Sequence, residues 1–354
     1  MLPKEYYADP SHLSLEVEKI FKGSWIFVGL EEELANNHDF VCTDFFGASV
    51  VVQNFSGSLR AFQNICSHRF NPIQYERRGN RPLICRYHYW RFDQDGCPLG
   101  NVTPLASNGK KNFLKQYRVQ KCGKFIFVAL SDDIGDLATF LGPFYETLQN
   151  LSVHMGNQIA THEIPHAGNW KLLVENVLEC YHCNAVHPET FVKGLGVGRV
   201  PIQDTTFAGD HSSCHFPRTA TESENKRNLL LQHLKSRSFH HNSFYHVYIF
   251  PNLFISSTEG ASFYVGSALP IAADQTNLVS RFLEPQITLT DPQRRKQDLI
   301  NELTVPLGLR VIDEDRAVLE KIQSAILIAD VEGCLTEQEI RIAHFEESYL
   351  AKLP

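Results

Sequence analysis

Two short motifs constrain this chain more than anything else in it: Cys66-x-His68 and, after sixteen intervening residues, Cys85-x-x-His88. Both lie in NICSHRFNPIQYERRGNRPLICRYHYWRF, residues 64–92. A fold that accommodates them must bring two separate loops, each with one thiol and one imidazole, to a common point. Thiolates together with imidazoles suit zinc or an iron–sulfur cluster. The zinc finger built from two Cys and two His offers a Cys pair first and then a His pair on a helix. Here each pair is mixed and closes a hairpin-like stretch. A structural zinc loop and coincidence are the plain alternatives.

A Rieske [2Fe–2S] centre demands this mixture, with two Cys on one iron and two His on the other. Its neutral His ligands raise the potential to roughly −150 to +300 mV. The flanking sequence predicts β structure from about residue 39 to 130. ASVVVQNFSGSLRAFQNIC reads as strand, turn at Ser56-Gly57-Ser58, and strand. RFDQDGCPLG repeats the pattern around Asp95-Gly96, and KFIFVAL at 124–130 closes the series. Ahead of it, residues 13–28 read as an amphipathic helix.

An electron-transfer centre leaves most of the chain to be explained. GNWKLLVENVLECYHCNAVHPE holds Glu179-x-x-His182-x4-His187. A helix over 169–187 would put Glu175, Glu179 and His182 on one face, at i, i+4 and i+7. His187 would lie about 140° from His182 on a straight helix. The two rings meet only if the helix breaks between them, and Pro188 supplies a reason by biasing His187 away from α geometry. Two His and one carboxylate make the facial triad of non-haem Fe(II) oxygenases, which leaves positions open for O2. A helix predicted over 292–329 offers Asp313, Glu314 and Asp315. Val311, Val318 and Ile322 form an apolar stripe, and Asp315 falls inside it while Asp313 points to the polar side. An inward acid is costly unless paired or metal-bound, which selects Asp315. An ion pair with a core Arg is the competing explanation.

Composition excludes other classes. The 354 residues suit two domains, and 43% hydrophobic with 21% charged residues describes a globular chain with a full core. A net charge of −7 with no basic run argues against a nucleic-acid partner. No stretch approaches the roughly eighteen apolar residues of a membrane span, and MLPKEYYADPSHLSLEVEKIF lacks the apolar core of a signal peptide. Nine Cys without a disulfide-framework spacing predict a reducing cytoplasm. Cys180-x-x-Cys183 looks like a redox dithiol, but no thioredoxin-like pattern surrounds it, so packing or chance is the expectation. His240, His241 and His246 are expected to be ordinary satisfied His residues, with pocket lining as the other option.

Taken together and in this order, the two constellations resemble those of the Rieske non-haem iron oxygenases, the ring-hydroxylating and N-demethylating oxygenase α subunits. The likeness covers nearly the whole chain and includes IFKGSWIFVG, NWKLLVEN and EDRAVLEKIQ. It implies an α+β protein with three parts: an N-terminal helical segment at 1–38 packing on the catalytic domain, a small all-β Rieske [2Fe–2S] domain at 39–135, and a helix-grip-like catalytic domain with a curved antiparallel sheet at 136–354. It implies that Cys66 and Cys85 hold one cluster iron, His68 and His88 the solvent-facing one, and His182, His187 and Asp315 the mononuclear Fe(II). Glu179 stands where a carboxylate bridges a Rieske His to an iron His across a subunit boundary. Most members use Asp there, and Glu resembles the branch acting on choline, carnitine and betaine.

An aromatic cage for a quaternary ammonium ion would be the corollary. Tyr181, Phe244, Tyr245, Phe250, Phe263 and Tyr264 are candidates, with Tyr181, Tyr245 and Phe263 put forward as substrate-binding residues; ordinary strand core is the alternative. Two positions depart from the family pattern. Arg86 and Tyr89 stand where similar sequences often have Pro and Gly, placing charge and bulk beside the cluster. The resemblance further implies a homotrimeric terminal oxygenase that activates O2 to hydroxylate or N-dealkylate a small substrate. Its electrons would come from a separate NAD(P)H-dependent flavin/iron–sulfur reductase, directly or through a ferredoxin, since the chain has no Gly-rich dinucleotide fingerprint. The rivals are an aromatic-ring dioxygenase or demethylase, a Rieske electron carrier whose second domain only binds a partner, and a zinc-stabilised binding module.

Overall fold

Strands form here where β-branched and aromatic residues cluster, and the computed structural model shows which of them share a sheet. It describes all residues except 101–111, 220–230, 232–233, 237–238, 240 and 242, so His240 lies outside the described residues. The chain divides into two compact units, Phe21–Phe140 on one side and Met1–Ile20 with Leu141–Pro354 on the other.

The first of these is built on a seven-stranded antiparallel sheet: β1 Trp25–Leu30, β2 Asp39–Phe45, β3 Ala48–Phe55, β4 Ser58–Gln63, β5 Arg78–Asn80, β8 Gln116–Cys122 and β9 Phe125–Ala129, in the order β1-β9-β8-β4-β3-β2-β5. A small hairpin, β6 Arg91–Phe92 and β7 Pro98–Leu99, lies outside it. Ser56 and Gly57 join β3 to β4 with positive φ at both positions, the turn whose twist matches that of the strands. Val51, Phe62, Ile73 and Leu83 form a core cluster that also contains Cys66 and Cys85. One expectation is corrected here. Residues 21–38 belong to this unit rather than to a helical segment on the catalytic domain. Helix ends early because WIFVGL is rich in strand formers, and β1 pairs with β9 from Trp25↔Ala129 to Leu30↔Phe125, buried along its whole length.

The second unit carries β10 Met155–His166, β11 Gln203–Ala208, β12 His211–Phe216, β13 Phe244–Ile249, β14 Leu253–Thr258, β15 Phe263–Ala272 and β16 Gln275–Pro285. They form an antiparallel sheet in the order β10-β16-β15-β14-β13-β12-β11. A helix, Asp291–Ile326, follows β16 and begins with a Thr290–Gln293 capping box. Gly308 lets this helix lie close on the sheet, since a Cβ there would stand 2.3 Å from the Phe282 ring. Its buried face is Ile312, Leu319, Gln323 and Ile326, one residue round from the predicted stripe, and Ile322 is 37% exposed. Among the described residues no helix is long and apolar enough to cross a membrane.

A buried ion pair ties the N-terminal helix to this unit. Glu16 accepts from Lys171 Nζ at 2.5 Å, Trp170 Nε1 at 2.7 Å and Tyr349 OH at 2.6 Å, and Glu16 and Lys171 are both wholly buried. Removing one partner of such a pair strands the other charge. Glu16→Ala is therefore expected to lower the urea-unfolding free energy by about 3–5 kcal/mol. A loss of under about 1 kcal/mol would show that Lys171 is not relying on this acid.

Candidate metal centres and active site

The Cys/His loops are near copies of each other. Short bridges, Ile65↔Pro72 and Ile84↔Arg91, pin the base of each loop. Inside each, the Cys carbonyl accepts from the amide four residues on: Phe70 N at 3.0 Å from Cys66 O, and Tyr89 N at 2.9 Å from Cys85 O. Both donors sit in the left-handed region, Phe70 at φ 60 and Tyr89 at φ 58. That conformation explains why Gly suits these positions. Here their side chains are instead held out to solvent, 83% and 76% exposed. Arg86 is paired with Glu76 at 2.5 Å, in the open.

The donors suit two irons, because they meet as two pairs. The Cys66 and Cys85 thiols are both buried in one core cluster. The His68 and His88 rings lie 4.6 Å apart, with His68 stacked on Trp90 at 4.6 Å. Burial pushes the Cys66 thiol up to about 11, while the backbone amides of His68 and Arg69 pull against it. Asn71 Nδ2 reaches Cys85 Sγ at 3.6 Å. Donors aimed at sulfur favour the thiolate that an iron requires. Burial, His68 and Arg69 hold His88 below 6.5, favouring the neutral ligand form.

At the second constellation the chain departs from one predicted helix. The helix Trp170–Val177 starts at an Asn169 cap and stops early, with the Leu178 amide turning back to the Glu175 carbonyl. Glu175 therefore does not join the site: it is buried against Tyr7, whose OH donates to it at 2.7 Å. Glu179 lies in the break, where its carboxylate accepts from the backbone amides of Tyr181 and His182. A short helix, Cys183–Val186, follows, and His187 leaves it at φ −118, ψ 41 ahead of Pro188.

This break brings the two rings together. His182, His187 and Asp315 offer donor atoms that all lie within 4.8 Å of one another. Both rings are oriented alike. His182 Nδ1 meets the Glu179 carboxylate and its Nε2 faces Asp315 Oδ1 at 3.5 Å. His187 Nδ1 meets Glu314 Oε2 at 2.9 Å and its Nε2 faces Asp315 Oδ1 at 2.8 Å. Two Nε2 lone pairs and one carboxylate on a common point fit a divalent iron, with a carboxylate behind each ring as metal-ligating His residues usually have. Asp313 stays in solvent, paired with Arg316 at 2.7 Å.

Electrostatics favour a cation there. Against burial, hydrogen bonds from His182 and His187 hold Asp315 down to about 2. Burial also opposes charge on His182, but Asp315 and Glu179 push the ring up to about 9. A metal needs that ring neutral. Fe(II) uptake by metal-free protein is therefore expected to strengthen as pH rises towards about 9, since the metal displaces a proton from His182. In the metal-free fold the protonated ring stabilises fully below 6.5, and that contribution fades as pH rises through about 9. Anaerobic Fe(II) titrations across this range check it; a pH-independent affinity would remove His182 from the ligand set.

The triad opens on a cavity of about 240 Å³ between the sheet and the Asp291–Ile326 helix, lined mainly by apolar and aromatic side chains. Residues 156–354 match the family model for the catalytic domain of ring-hydroxylating alpha subunits, and residues 24–117 match the Rieske [2Fe–2S] domain. The chain belongs to the ring-hydroxylating alpha subunits. The family's cofactors, a Rieske [2Fe–2S] cluster and a mononuclear iron, are those its two donor sets fit. Its relatives include the glycine betaine monooxygenase oxygenase subunit of Chromohalobacter salexigens, 33% identical over 196 residues, 53% of this chain and 43% of that one. The carnitine monooxygenase oxygenase subunit of Escherichia coli K12 is 32% identical over 194 residues, covering 53% and 52%. These matches span about half the length of the relatives. The fold matches a quaternary ammonium Rieske monooxygenase in complex with L-carnitine (TM-score 0.74, 22% identity, 99% of this chain and 94% of that one). It also matches naphthalene 1,2-dioxygenase with indole bound (TM-score 0.78, 19% identity, 99% and 91%).

In this alpha subunit the cavity corrects the expected aromatic set. Phe244, Phe263 and Tyr264 line it. Tyr181 does not, being 56% exposed beyond the helix break. Tyr245 points from the other face of β13, since side chains alternate along a strand, and stacks on His241 at 4.1 Å. Phe250 packs against Phe345 instead. Phe191, Phe216, Phe254 and Phe282 line the cavity and went unnoticed in the sequence, as did the role of Glu314. The signal for Glu314 was available: a ligating His wants an acceptor on its other nitrogen. Cys180 and Cys183, for which packing or chance was the expectation, are joined by a disulfide across Tyr181-His182.

Proposed function

We propose that this chain is the terminal oxygenase component of a Rieske non-haem iron system that hydroxylates or oxidatively N-dealkylates a quaternary ammonium compound. The observation that carries the reading is the triad of His182, His187 and Asp315 in the wall of an aromatic cavity. His182, His187 and Asp315 would hold an iron that would supply O2 activation, and Cys66, Cys85, His68 and His88 would hold a cluster that would supply electrons singly. Glu179 and Glu314 keep the Nδ1 protons of their His partners, so that each Nε2 stays free for the metal. The faces of Phe244 and Phe263 suit a cationic nitrogen, and the relatives named for glycine betaine and carnitine support that class. The apolar lining also favours a second reading, arene hydroxylation, and toluate 1,2-dioxygenase is among the relatives. A separate NAD(P)H-dependent reductase would supply the electrons, the assembly would be a homotrimer with Glu179 bridging subunits, and the compartment would be the cytoplasm.

The test is iron and acid-labile sulfide per chain after anaerobic purification, followed by reductant-driven O2 uptake with glycine betaine, carnitine and toluate. Three irons and two sulfides with amine-dependent uptake are expected. Two irons and two sulfides that added Fe(II) does not change would leave an electron carrier in its place.

A further inference from the structure

His246 lines the same cavity as the triad and projects from β13 on the face that carries Phe244. Behind it stands Arg341 of the helix Ile340–Leu350, fully buried. Arg341 Nη2 lies 3.2 Å from His246 Nδ1. The rest of the guanidinium donates to Ser212 Oγ at 3.1 Å, Leu178 O at 3.2 Å, Cys214 Sγ at 3.1 Å and Ser212 O at 3.4 Å. Among the described residues no carboxylate meets it.

A guanidinium only donates, so His246 Nδ1 must accept. The ring is then neutral with its proton on Nε2, and Nε2 is the nitrogen left for the cavity. Burial first, and the Arg341 charge second, push His246 well below 6.5, so the ring gains no second proton near neutral pH. No Lys or Arg among the described residues lines the cavity. Apart from the iron that the triad would hold, the positive charge that reaches this cavity from the protein is that of Arg341 behind this ring, in surroundings where it is weakly screened.

We propose that His246, its tautomer fixed by Arg341, is a specificity-determining residue of this cavity: its Nε2–H binds a carboxylate oxygen of the substrate and selects acids over neutral analogues. The inference rests on reading the cavity as a substrate site and narrows it to small acids. In a betaine-like zwitterion the cationic end would then lie on the aromatic faces. Arg341 is a positioning residue that acts through His246.

Calorimetric titration of oxidised holoprotein, which cannot turn over without reductant, compares glycine betaine with choline and toluate with the corresponding alcohol. The wild type is expected to bind the acid of each pair that it accepts about tenfold to a hundredfold more tightly than its alcohol. His246→Asn can still accept from Arg341 but does not reach the Nε2 position, and should lose that preference with iron, sulfide and thermal midpoint unchanged. His246→Gln does reach it and should retain part, a rescue that a merely structural His246 would not show. If the Asn variant fails to fold, the wild-type comparison and the Gln variant decide. An unselective wild type, an Asn variant that keeps the preference, or no binding of either acid would overturn the proposal. Toluate bound selectively with glycine betaine ignored would keep the subsite and remove the quaternary ammonium reading. Turnover of glycine betaine without an acid preference would remove the subsite alone.

Discussion

Asp315→Ala protein is expected to keep a two-iron, two-sulfide cluster and its visible spectrum while losing the third iron and all turnover. The reason lies in the geometry: one carboxylate oxygen of Asp315 faces both His182 Nε2 and His187 Nε2. Removing a group that only orients a ligand costs about 10–100-fold in metal affinity, so removing a ligand should cost more than about a hundredfold. Without the carboxylate each ring loses its Nε2 partner and keeps only the one at Nδ1, Glu179 or Glu314, so His182 should fall from about 9 while Glu179 still holds it up. Asp313→Ala is the control. That acid is 58% exposed and among the described residues pairs with Arg316, so its loss should change stability by under about 0.5 kcal/mol and leave iron content alone. Iron analysis and O2 uptake on the two variants give a clear reading. A third iron retained by Asp315→Ala would assign the carboxylate ligand elsewhere.

Glu179→Ala has the second largest expected effect, and it should separate metal binding from electron delivery. The Glu179 carboxylate meets His182 Nδ1 and caps the turn through the amides of Tyr181 and His182. Cluster colour and iron should remain, because all seven proposed metal ligands remain, with at most a 10–100-fold weakening of the iron site. Turnover with a reductase should be lost. Re-oxidation of a chemically reduced cluster, followed by stopped flow with substrate and O2, distinguishes a bridge from a mere prop. If Glu179→Gln keeps His182 in place yet slows that step, the carboxylate is part of the electron path. Unchanged turnover in Glu179→Ala would sink the bridge.

The residues that meet at both candidate sites were legible in the sequence because donor chemistry and spacing are local. Cys66-x-His68 and Cys85-x-x-His88 can be read as one cluster without knowing how the loops fold. His182 and His187 announce a break because Pro188 follows them. The location of that break was not legible: a good helical pattern runs through Glu179, yet the structure ends the helix at Val177 and uses Glu179 as the cap of the next turn. The choice of Asp315 used a stripe containing Ile322, which lies off the buried face of the helix. Asp315 was still selected because it also borders the face that is actually buried, between Ile312 and Leu319.

The sequence by itself picked out the candidate donors and the succession of a β unit and an α+β unit, since each depends on residue type and short-range spacing. Tertiary structure alone decided that Glu314 orients His187, that Arg341 sets the proton on His246, that Tyr245 turns away from the cavity, and that residues 21–38 join the Rieske unit. Those facts depend on strand pairing and on contacts between residues about a hundred positions apart, such as His187 with Glu314 or Arg341 with His246. Side-chain periodicity within one element says which faces exist. Only packing says which faces meet.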